Sequence, residues 1–287
     1  MIFIDKITII SKSCNNYPQN LLSLSDSPEL LFAIGNLSLV NTFSLAIVGS
    51  RNFTLESKSL TSNLVKNLVA QDITIISGMA RGIDSIAHET CIENGGNTIA
   101  IIGGGFLYTS NKKLFNKILK NNGLILSEYF PDTPSYKSNF PQRNRLISGI
   151  SDGVIIPQAG LKSGSLITAT HALKQNKPLF TFPWNMDNEN YFGNNLLLTQ
   201  GAKCILSYKD VLKNYPNLQE KNFKPAASAS ITEEFKNIYS KITYAPIHIN
   251  QLALKLQINL SELQYKLTLM ELDDLIIKLP KNYISKK

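Results

Sequence analysis

The side chains in this sequence that are best suited to binding chemistry are its arginines. Of 29 lysines and arginines only four are arginine, at positions 51, 81, 143 and 145. Each lies in a short segment that contains glycine or proline. A guanidinium group can bind a phosphate through two parallel hydrogen bonds, which a lysine ammonium cannot reproduce. In a chain that otherwise uses lysine, these arginines indicate phosphate binding, and structural ion pairs are the alternative explanation.

Four segments contain these arginines or resemble the segments that do. They are Gly49-Ser50-Arg51, SGMARGID at 77–84, FPQRNRLI at 140–147 and GLKSGSLITA at 160–169. Glycine leaves backbone N–H groups open to an anion, and serine adds hydroxyl donors. A glycine after a strand is also common in tight turns that bind nothing. The prediction of a phosphate site therefore depends on all four segments meeting at one edge of the fold.

Catalytic and metal-binding patterns are not evident. The sequence contains neither the GxGxxG fingerprint nor a phosphate-binding P-loop, and no HExxH motif. Asp84 and His88 are four residues apart, which we interpret as a polar contact along one helix face rather than an acid–base pair. Ser163 and Ser165 have no evident base partner and are interpreted as donors at a helix N-terminus. We expect a protein that is not an enzyme, without catalytic residues, metal or cofactor.

Six short apolar runs must position the four segments. They are LAIVGS at 45–50, ITIISG at 73–78, TIAIIGGG at 98–105, LILSE at 124–128, GVIIPQ at 153–158 and KPLFTFP at 177–183. Such runs, separated by helical periodicity, are typical of parallel strands covered on both faces. They predict an α/β fold with an extended Rossmann-like, doubly wound, mostly parallel sheet. Such sheets bind ligands beyond the carboxyl ends of their strands, where the four segments fall.

Turn signals divide the chain into four parts. Residues 1–44 carry short apolar runs and are expected to form an N-terminal extension packed on the core. Residues 45–215 form the Rossmann-like domain, and 216–230 form a linker that contains two prolines and the run AASAS. In 231–287, a helix, a short helix over 249–256, a further helix and a hairpin follow the order of a winged-helix domain.

Composition limits the partners and the location. The net charge of +8 and the isoelectric point near 9.2 favour an anionic partner. No uncharged apolar run reaches about 18 residues, and the apolar N-terminus is interrupted by Asp5 and Lys6, so we expect neither a membrane span nor a signal peptide. Three cysteines, far apart and outside CxxC spacing, indicate reduced thiols and a cytoplasmic location.

Taken together, these segments resemble the DNA-processing protein A (DprA/Smf) family. In family order and over roughly residues 17–207, the matching features are Tyr17-Pro18, Leu21, AIVGSR, SGMARGID with Ala87-His88, Gly95-Gly96, SEYFP, FPQRNRLI, SGSLITA and Gly201-Ala202. Residues 231–285 resemble the family's winged-helix domain more loosely. The resemblance implies cooperative binding of single-stranded DNA, protection of incoming strands beside single-strand-binding protein, loading of the RecA recombinase in natural transformation, and a homodimer.

The resemblance also assigns residue roles. The family's phosphate-binding arginine falls on Arg51, and a lysine and phenylalanine that contact the strand in some members fall on Lys137 and Phe140. The full set of candidate DNA contacts is Gly49, Ser50, Arg51, Ser77, Gly78, Arg81, Gly82, Lys137, Phe140, Arg143, Asn144, Arg145, Lys162, Ser163, Gly164 and Ser165.

The sequence departs from the family at three places. We expect no counterpart of the helical N-terminal domain that many members carry. Gln158 replaces a common glutamate, which makes catalysis there less expected, and Gly103-Gly104-Gly105 stands where Gly-Leu-Asp is frequent.

Two other functions remain open from the residues. Nucleoside-monophosphate phosphoribohydrolases with a related fold resemble PGGxGTxxE at this edge, but the corresponding SGSLITATHA offers no carboxylate for catalysis. A nucleotide-sensing regulator would read duplex DNA with the third winged-helix helix, 261–273. That helix contains one cation, Lys266, beside several carboxylates, which is unfavourable against phosphates. We therefore expect the winged-helix domain to bind a partner or to support multimerisation.

Overall fold

A computed structural model describes residues 7–109, 111–218, 233–272 and 275–286. Most of the predicted linker lies outside these ranges. The chain divides into two compact units, residues 1–53 with 61–221 and residues 54–60 with 222–287. Within the described ranges, no helix combines the length and the apolar character needed to cross a membrane.

In the described part of the first unit, nine strands form one sheet. The strands are β1 (Thr8–Ser11), β2 (Leu30–Gly35), β3 (Ser44–Ile47), β4 (Thr74–Ser77), β5 (Thr98–Ile102), β6 (Leu124–Ser127), β7 (Gly153–Ile156), β8 (Leu179–Thr181) and β9 (Lys203–Cys204). Their order is β1-β2-β6-β5-β4-β3-β7-β8-β9. Strands β3 to β9 pair in parallel, whereas β1 with β2 and β2 with β6 are antiparallel. All six predicted strands are confirmed, and β1, β2 and β9 were not predicted.

Helices cover both faces of the sheet. They are α1 (Leu55–Val69), α2 (Ile83–Glu93), α3 (Lys112–Lys120), α4 (Asn139–Ile150), α5 (Ser165–Lys174), α6 (Phe192–Thr199) and α7 (Tyr208–Leu212). Neighbouring strand residues point to opposite faces. Leu45 and Ile47 accordingly pack in a cluster with residues of α1 and α2, and Ala46 and Val48 in a cluster with residues of α4 and α5. This arrangement confirms the predicted doubly wound fold.

The sheet has one topological switch point beside β3. The chain runs from β3 through β4 and β5 to β6, and then returns to place β7 on the opposite side of β3. Because the connections leave β3 and β7 in opposite directions, a crevice opens beyond their carboxyl ends.

The N-terminal residues, expected as an extension packed on the core, also lengthen the sheet through β1 and β2. Tyr17 and Leu21 are fully buried in the cluster that contains residues of α4. The Tyr17 hydroxyl donates a hydrogen bond of 2.6 Å to the Pro28 carbonyl, and the Asn20 amide donates one of 2.8 Å to the Ile150 carbonyl. These contacts tie the extension to the end of α4.

The second unit is a winged-helix domain, as predicted. Its described elements are α8 (Glu233–Lys241), β10 (Ile247–His248), α9 (Ile249–Leu256), α10 (Leu260–Leu272), β11 (Ile276–Leu279) and β12 (Tyr283–Lys286). The strands form an antiparallel sheet in the order β10-β12-β11. Phe235, Leu252, Leu263, Leu267 and Ile284 belong to its buried core. The predicted short helix and the two hairpin strands are confirmed, and the small strand β10 was not predicted.

Candidate nucleic-acid interface

An open cleft of about 940 Å³ lies where the sheet switches direction. It is lined by the loop after β3, the start of α4, the loop between β7 and α5, and residues that follow β8. Of the predicted contacts, those that line it are Gly49, Ser50, Arg51, Lys137, Phe140, Arg143, Asn144, Lys162, Ser163, Gly164 and Ser165. The prediction that segments distant in sequence meet at this edge agrees with the structure for these residues.

Exposed cations form the rim of the cleft, a name we use for Arg51, Lys137 and Lys162. All three side chains are exposed. Within the described ranges, no ion pair occupies any of them. Glu189 is an exposed carboxylate in the same lining. The rim thus carries an excess of positive charge that remains available to an anion.

The loop between β7 and α5 brings hydroxyl and backbone donors to the cleft. The Ser163 and Ser165 hydroxyl oxygens are 2.8 Å apart, and α5 begins at Ser165. Gly164 is exposed, with open space where a Cβ would lie. Helix N-termini carry free N–H groups and a partial positive charge, which favour an anion. Both serines therefore lie at a helix start, as expected, and their role as donors to a ligand stays a prediction.

Asn194 on α6 fixes the first part of this loop, and sequence analysis did not identify it. Its buried side chain accepts a hydrogen bond of 2.6 Å from the Ala159 N–H and donates one of 2.9 Å to the Ile156 carbonyl. Gln158 is also buried, and its amide donates to the Asn52 carbonyl at 3.2 Å. A glutamate could not donate this bond when ionised. This contact gives a structural reason for glutamine at position 158.

Three buried titratable side chains form what we call the floor of the site: Asp84, His88 and Arg143. Arg143 donates hydrogen bonds to the carbonyls of Gly78, at 2.8 Å, and Ile101. Asp84 accepts bonds from the N–H groups of Gly78, at 3.1 Å, and Gly49, at 3.4 Å. The floor therefore holds the ends of β3, β4 and β5 in fixed positions.

Burial governs the charge states of the floor. It lowers the pKa of Arg143 to about 10, so the guanidinium remains charged at neutral pH. Burial raises the pKa of the Asp84 carboxyl, an effect opposed by Arg143 and by backbone N–H groups. Burial lowers the pKa of His88 to about 3, which keeps the imidazole neutral at pH 7. Asp84 and His88 do not form the contact that their spacing suggested, because the His88 Nδ1 lies 2.7 Å from the Thr98 hydroxyl instead.

The FPQRNRLI segment requires a correction. It was expected at the end of a strand, but it lies in helix α4. Arg143 is 4% exposed and belongs to the buried floor of the cleft, and the neighbouring Asn144 also lines the cleft. Arg145 is absent from the cleft lining and forms ion pairs with Asp26, at 3.1 Å, and Glu128. For Arg143 and Arg145, internal partners therefore account for the choice of arginine.

The SGMARGID segment packs against the loop that follows β3. Of its residues, only Ala80 and Asp84 line the cleft. The Ser77 hydroxyl donates a bond of 2.6 Å to the Ile47 carbonyl. Gly82 has a φ of +91°, and a Cβ there would lie 2.3 Å from the Ser50 carbonyl oxygen. Arg81 is exposed outside the cleft. Ser77, Gly78, Arg81 and Gly82 thus were predicted as contacts but lie outside the lining.

Phe140 occupies the centre of this arrangement. Its ring centroid lies 5.9 Å from the guanidinium carbon of Arg51 and 6.0 Å from that of Arg143. A Cβ at Gly103 would lie 2.9 Å from the ring. The Phe140 ring therefore lies close to both a rim residue and a floor residue. A side chain at position 103 would clash with this ring, and glycine avoids the clash.

Sequence analysis also missed Asn190 and Phe192, which line the cleft. They follow β8, whose carboxyl end lies at the same edge of the sheet. The rule that ligands bind beyond the carboxyl ends of parallel strands also applies to β8, and it points to the residues that follow this strand.

Together, the fold and the cleft define a Rossmann-like protein with a crevice rimmed by cations at its switch point and a C-terminal winged-helix domain. Family models agree with both parts: DNA recombination-mediator protein A matches residues 8–216, and the DprA winged-helix domain matches residues 223–282. The chain belongs to the DNA recombination-mediator protein A family, also called DprA/Smf, as the sequence segments predicted.

Individual relatives and structures support this assignment. The chain is 39% identical to the DNA processing protein DprA of Bacillus subtilis over 214 residues, covering 73% of this chain and 72% of the relative. It is 31% identical to the protein Smf of Escherichia coli over 278 residues, covering 93% and 74%. The DprA structure from Streptococcus pneumoniae matches with a TM-score of 0.69, 37% identity and coverage of 72% and 74%. DNA processing protein A from Helicobacter pylori, which has a known single-stranded DNA binding mode, matches with a TM-score of 0.64, 35% identity and coverage of 73% and 95%.

Proposed function

We propose that this protein binds single-stranded DNA in the cleft and acts as a recombination mediator. The observation that carries the proposal is the cleft at the switch point, which is lined by three exposed cations and by a serine- and glycine-rich helix start. Contacts of this kind bind phosphates and carry no sequence information. Family membership and the single-stranded DNA binding of the Helicobacter pylori relative support the choice of ligand.

The experiment compares a labelled oligothymidine with a matched duplex over a range of salt concentrations. With about three to five phosphates neutralised, log K should fall against log salt with a slope of roughly −2 to −3.5 for the single strand. The single strand should bind more tightly than the duplex. An affinity that does not change with salt, or a strong preference for one duplex sequence, would contradict the proposal.

We also propose that the protein is not an enzyme. Asp84, the buried carboxylate of the cleft, already accepts bonds from two backbone N–H groups beside Arg143, which leaves it poorly suited to proton transfer. Incubation with nucleoside monophosphates tests this directly. Release of free base would show that the related phosphoribohydrolase activity is present.

The wider role that the family implies can be tested in the same way. We propose that the protein is a cytoplasmic homodimer that protects incoming strands in natural transformation and loads RecA where single-strand-binding protein covers them. Sedimentation of the full chain would measure the oligomeric state. Strand exchange by RecA on DNA coated with single-strand-binding protein should accelerate when this protein is added, and an unchanged rate would contradict the loading role.

A further inference from the structure

Three large aromatic side chains are exposed beside the cleft, on the loops that follow β5 and β6. Tyr108 is 51% exposed, Phe130 is 64% exposed and Tyr136 is 58% exposed. Aromatic rings of this size are usually buried, and a group of exposed rings indicates a binding surface. We call Tyr108, Phe130 and Tyr136 the aromatic platform.

The two loops that carry the platform are joined by hydrogen bonds. The Gly105 N–H donates to the Thr133 carbonyl at 2.8 Å, and the Leu107 N–H donates to the Pro131 carbonyl at 3.1 Å. The Ser135 hydroxyl donates to the Tyr108 carbonyl at 3.3 Å. These bonds hold the backbone of all three aromatic residues in a fixed relation, which lowers the entropy lost when a ligand binds.

The glycines at 104 and 105 make this junction possible. A Cβ at Gly104 would lie 2.4 Å from the Ser135 hydroxyl oxygen, and a Cβ at Gly105 would lie 2.3 Å from the Pro131 carbonyl oxygen. Any larger residue would force the loops apart. The Phe130 ring packs against the Phe32 ring, with 5.1 Å between the ring centroids. Gly104 and Gly105 are thus explained by the close approach of the two loops, and Gly103 by the Phe140 ring.

The platform is continuous with the cleft. Tyr136 immediately precedes Lys137, which is on the rim. At the other loop, Gly103 packs against the Phe140 ring inside the cleft. Tyr136 is therefore the platform residue that adjoins the rim along the chain.

Charge around the platform also suits a nucleic acid. Lys112 and Lys113, at the start of α3, are exposed close in sequence to Tyr108, and Lys137 is exposed beside Tyr136. Asp132 is the exposed carboxylate in the same loops. Alternating cations and aromatic rings are the features that bind single strands, because the bases stack on the rings while the cations neutralise phosphates.

We propose that the aromatic platform binds bases of single-stranded DNA that extends out of the cleft, so that Tyr136 and Tyr108 stack on bases without sequence preference. This inference rests on the proposed function of the cleft. It adds a second segment of binding surface, which only strands longer than the cleft can reach.

The experiment measures affinity for oligothymidines of about six and about 20 nucleotides, since sites of this kind span about 4 to 16 nucleotides. In the full chain, Tyr108→Ala with Tyr136→Ala should weaken binding of the long strand by about tenfold or more and change binding of the short strand by less than about twofold. Tyr108→Phe with Tyr136→Phe should restore the long-strand affinity to within about threefold of the parent, because the rings remain.

A charge variant provides a second and independent test. Lys112→Gln with Lys113→Gln should make the salt slope for the long strand shallower by about 1.4 and leave the slope for the short strand unchanged. These lysines are exposed, so the variant should fold even if the alanine pair does not. The matched control is Tyr265→Ala, since this tyrosine is 65% exposed on the winged-helix unit and should not affect binding.

The possible failures are distinct. If the parent binds neither strand, the proposed function is wrong together with the platform. If the parent binds both and the variants weaken them equally or not at all, the platform is wrong and the cleft stands. If the alanine pair instead converts a dimer to a monomer in sedimentation, the surface is a contact between two copies of the chain and the proposal is overturned.

Discussion

The rim and the floor of the cleft use the same kind of side chain for opposite purposes. Arg51 on the rim is exposed, while Arg143 on the floor is buried and donates to two main-chain carbonyls. The two guanidinium carbons lie 5.9 Å and 6.0 Å from the centroid of the same ring, that of Phe140. An arginine in a phosphate-binding segment is therefore not by itself a phosphate ligand. The difference predicts that floor variants change stability and rim variants change affinity.

Replacement of Arg143 should have the largest effect. Arg143→Ala leaves the Asp84 carboxylate buried without its cation and two carbonyls without a donor. We expect the free energy of unfolding to fall by about 3–5 kcal/mol, on the scale of a buried charge that loses its compensating partner. Chemical denaturation measures this, with Arg51→Ala as the control that should change stability by less than about 0.5 kcal/mol. If Arg143→Ala folds as stably as the parent and only loses DNA affinity, the division into rim and floor is wrong.

His88 makes the stability of the floor depend on pH. Its pKa falls from 6.5 to about 3 on folding because the imidazole is buried, so protonation favours the unfolded chain. Its contribution is fully present above pH 6.5 and is lost as the pH falls towards 3. Between pH 6.5 and about 4, this group should remove roughly 2–3 kcal/mol from the free energy of unfolding.

The measurement is denaturation of the parent and of His88→Gln at several pH values. Carboxylates titrate in both proteins, so the difference between the two curves isolates His88. Parallel curves would show that the imidazole does not titrate as its burial requires.

Arg51 tests the rim. Arg51→Ala should weaken oligothymidine binding by about 1.5–3 kcal/mol, as for the loss of a charge-assisted hydrogen bond. Arg51→Lys should recover only part of this, since an ammonium cannot form the two parallel bonds. Titration with a labelled oligothymidine measures both, and thermal melting should place both variants near the parent. Parent-like binding by Arg51→Lys would show that charge alone is sufficient.

The smallest effect is expected in the winged-helix unit. In α10, Lys266 pairs with Glu262 at 2.6 Å, and Glu271 pairs with Lys278 of β11 at 3.1 Å. Two further acidic residues of the sequence, Asp273 and Asp274, lie outside the described residues. Lys255→Glu, at an exposed position near the end of α9, should change oligothymidine affinity by less than about 0.5 kcal/mol. A tenfold loss would place a DNA contact on this unit.

The strands were predictable because the signal is local. Six apolar runs bounded by glycine, serine or proline correspond to β3 to β8, since a strand buried on both faces needs apolar residues throughout. Strand β9 has two exposed residues and left no such pattern. Strands β1 and β2 joined the sheet through antiparallel pairing at its edge, which their short runs did not indicate.

The candidate site was predictable in its position but only partly in its residues. The parallel sheet placed Arg51, Lys162 and the serines of the loop before α5 at one edge, as the structure shows. Arg143 was misplaced because its segment was interpreted as a strand end. In a helix, the spacing of Arg143, Leu146, Ile147 and Ile150 places them on one buried side, where the arginine faces the interior.

The sequence alone determined the six parallel strands β3 to β8, the edge at which the loops meet and the family. Each depends on local patterns or on short motifs that survive in a single chain. The tertiary structure decided which arginines remain available to a ligand. Arg143 donates to the carbonyls of Gly78 and Ile101, 65 and 42 residues away along the chain. A guanidinium is chemically suited to both a phosphate and a carbonyl, so residue type alone does not decide its partner. Burial and hydrogen bonding between such distant groups decide it, and they exist only once the chain has packed.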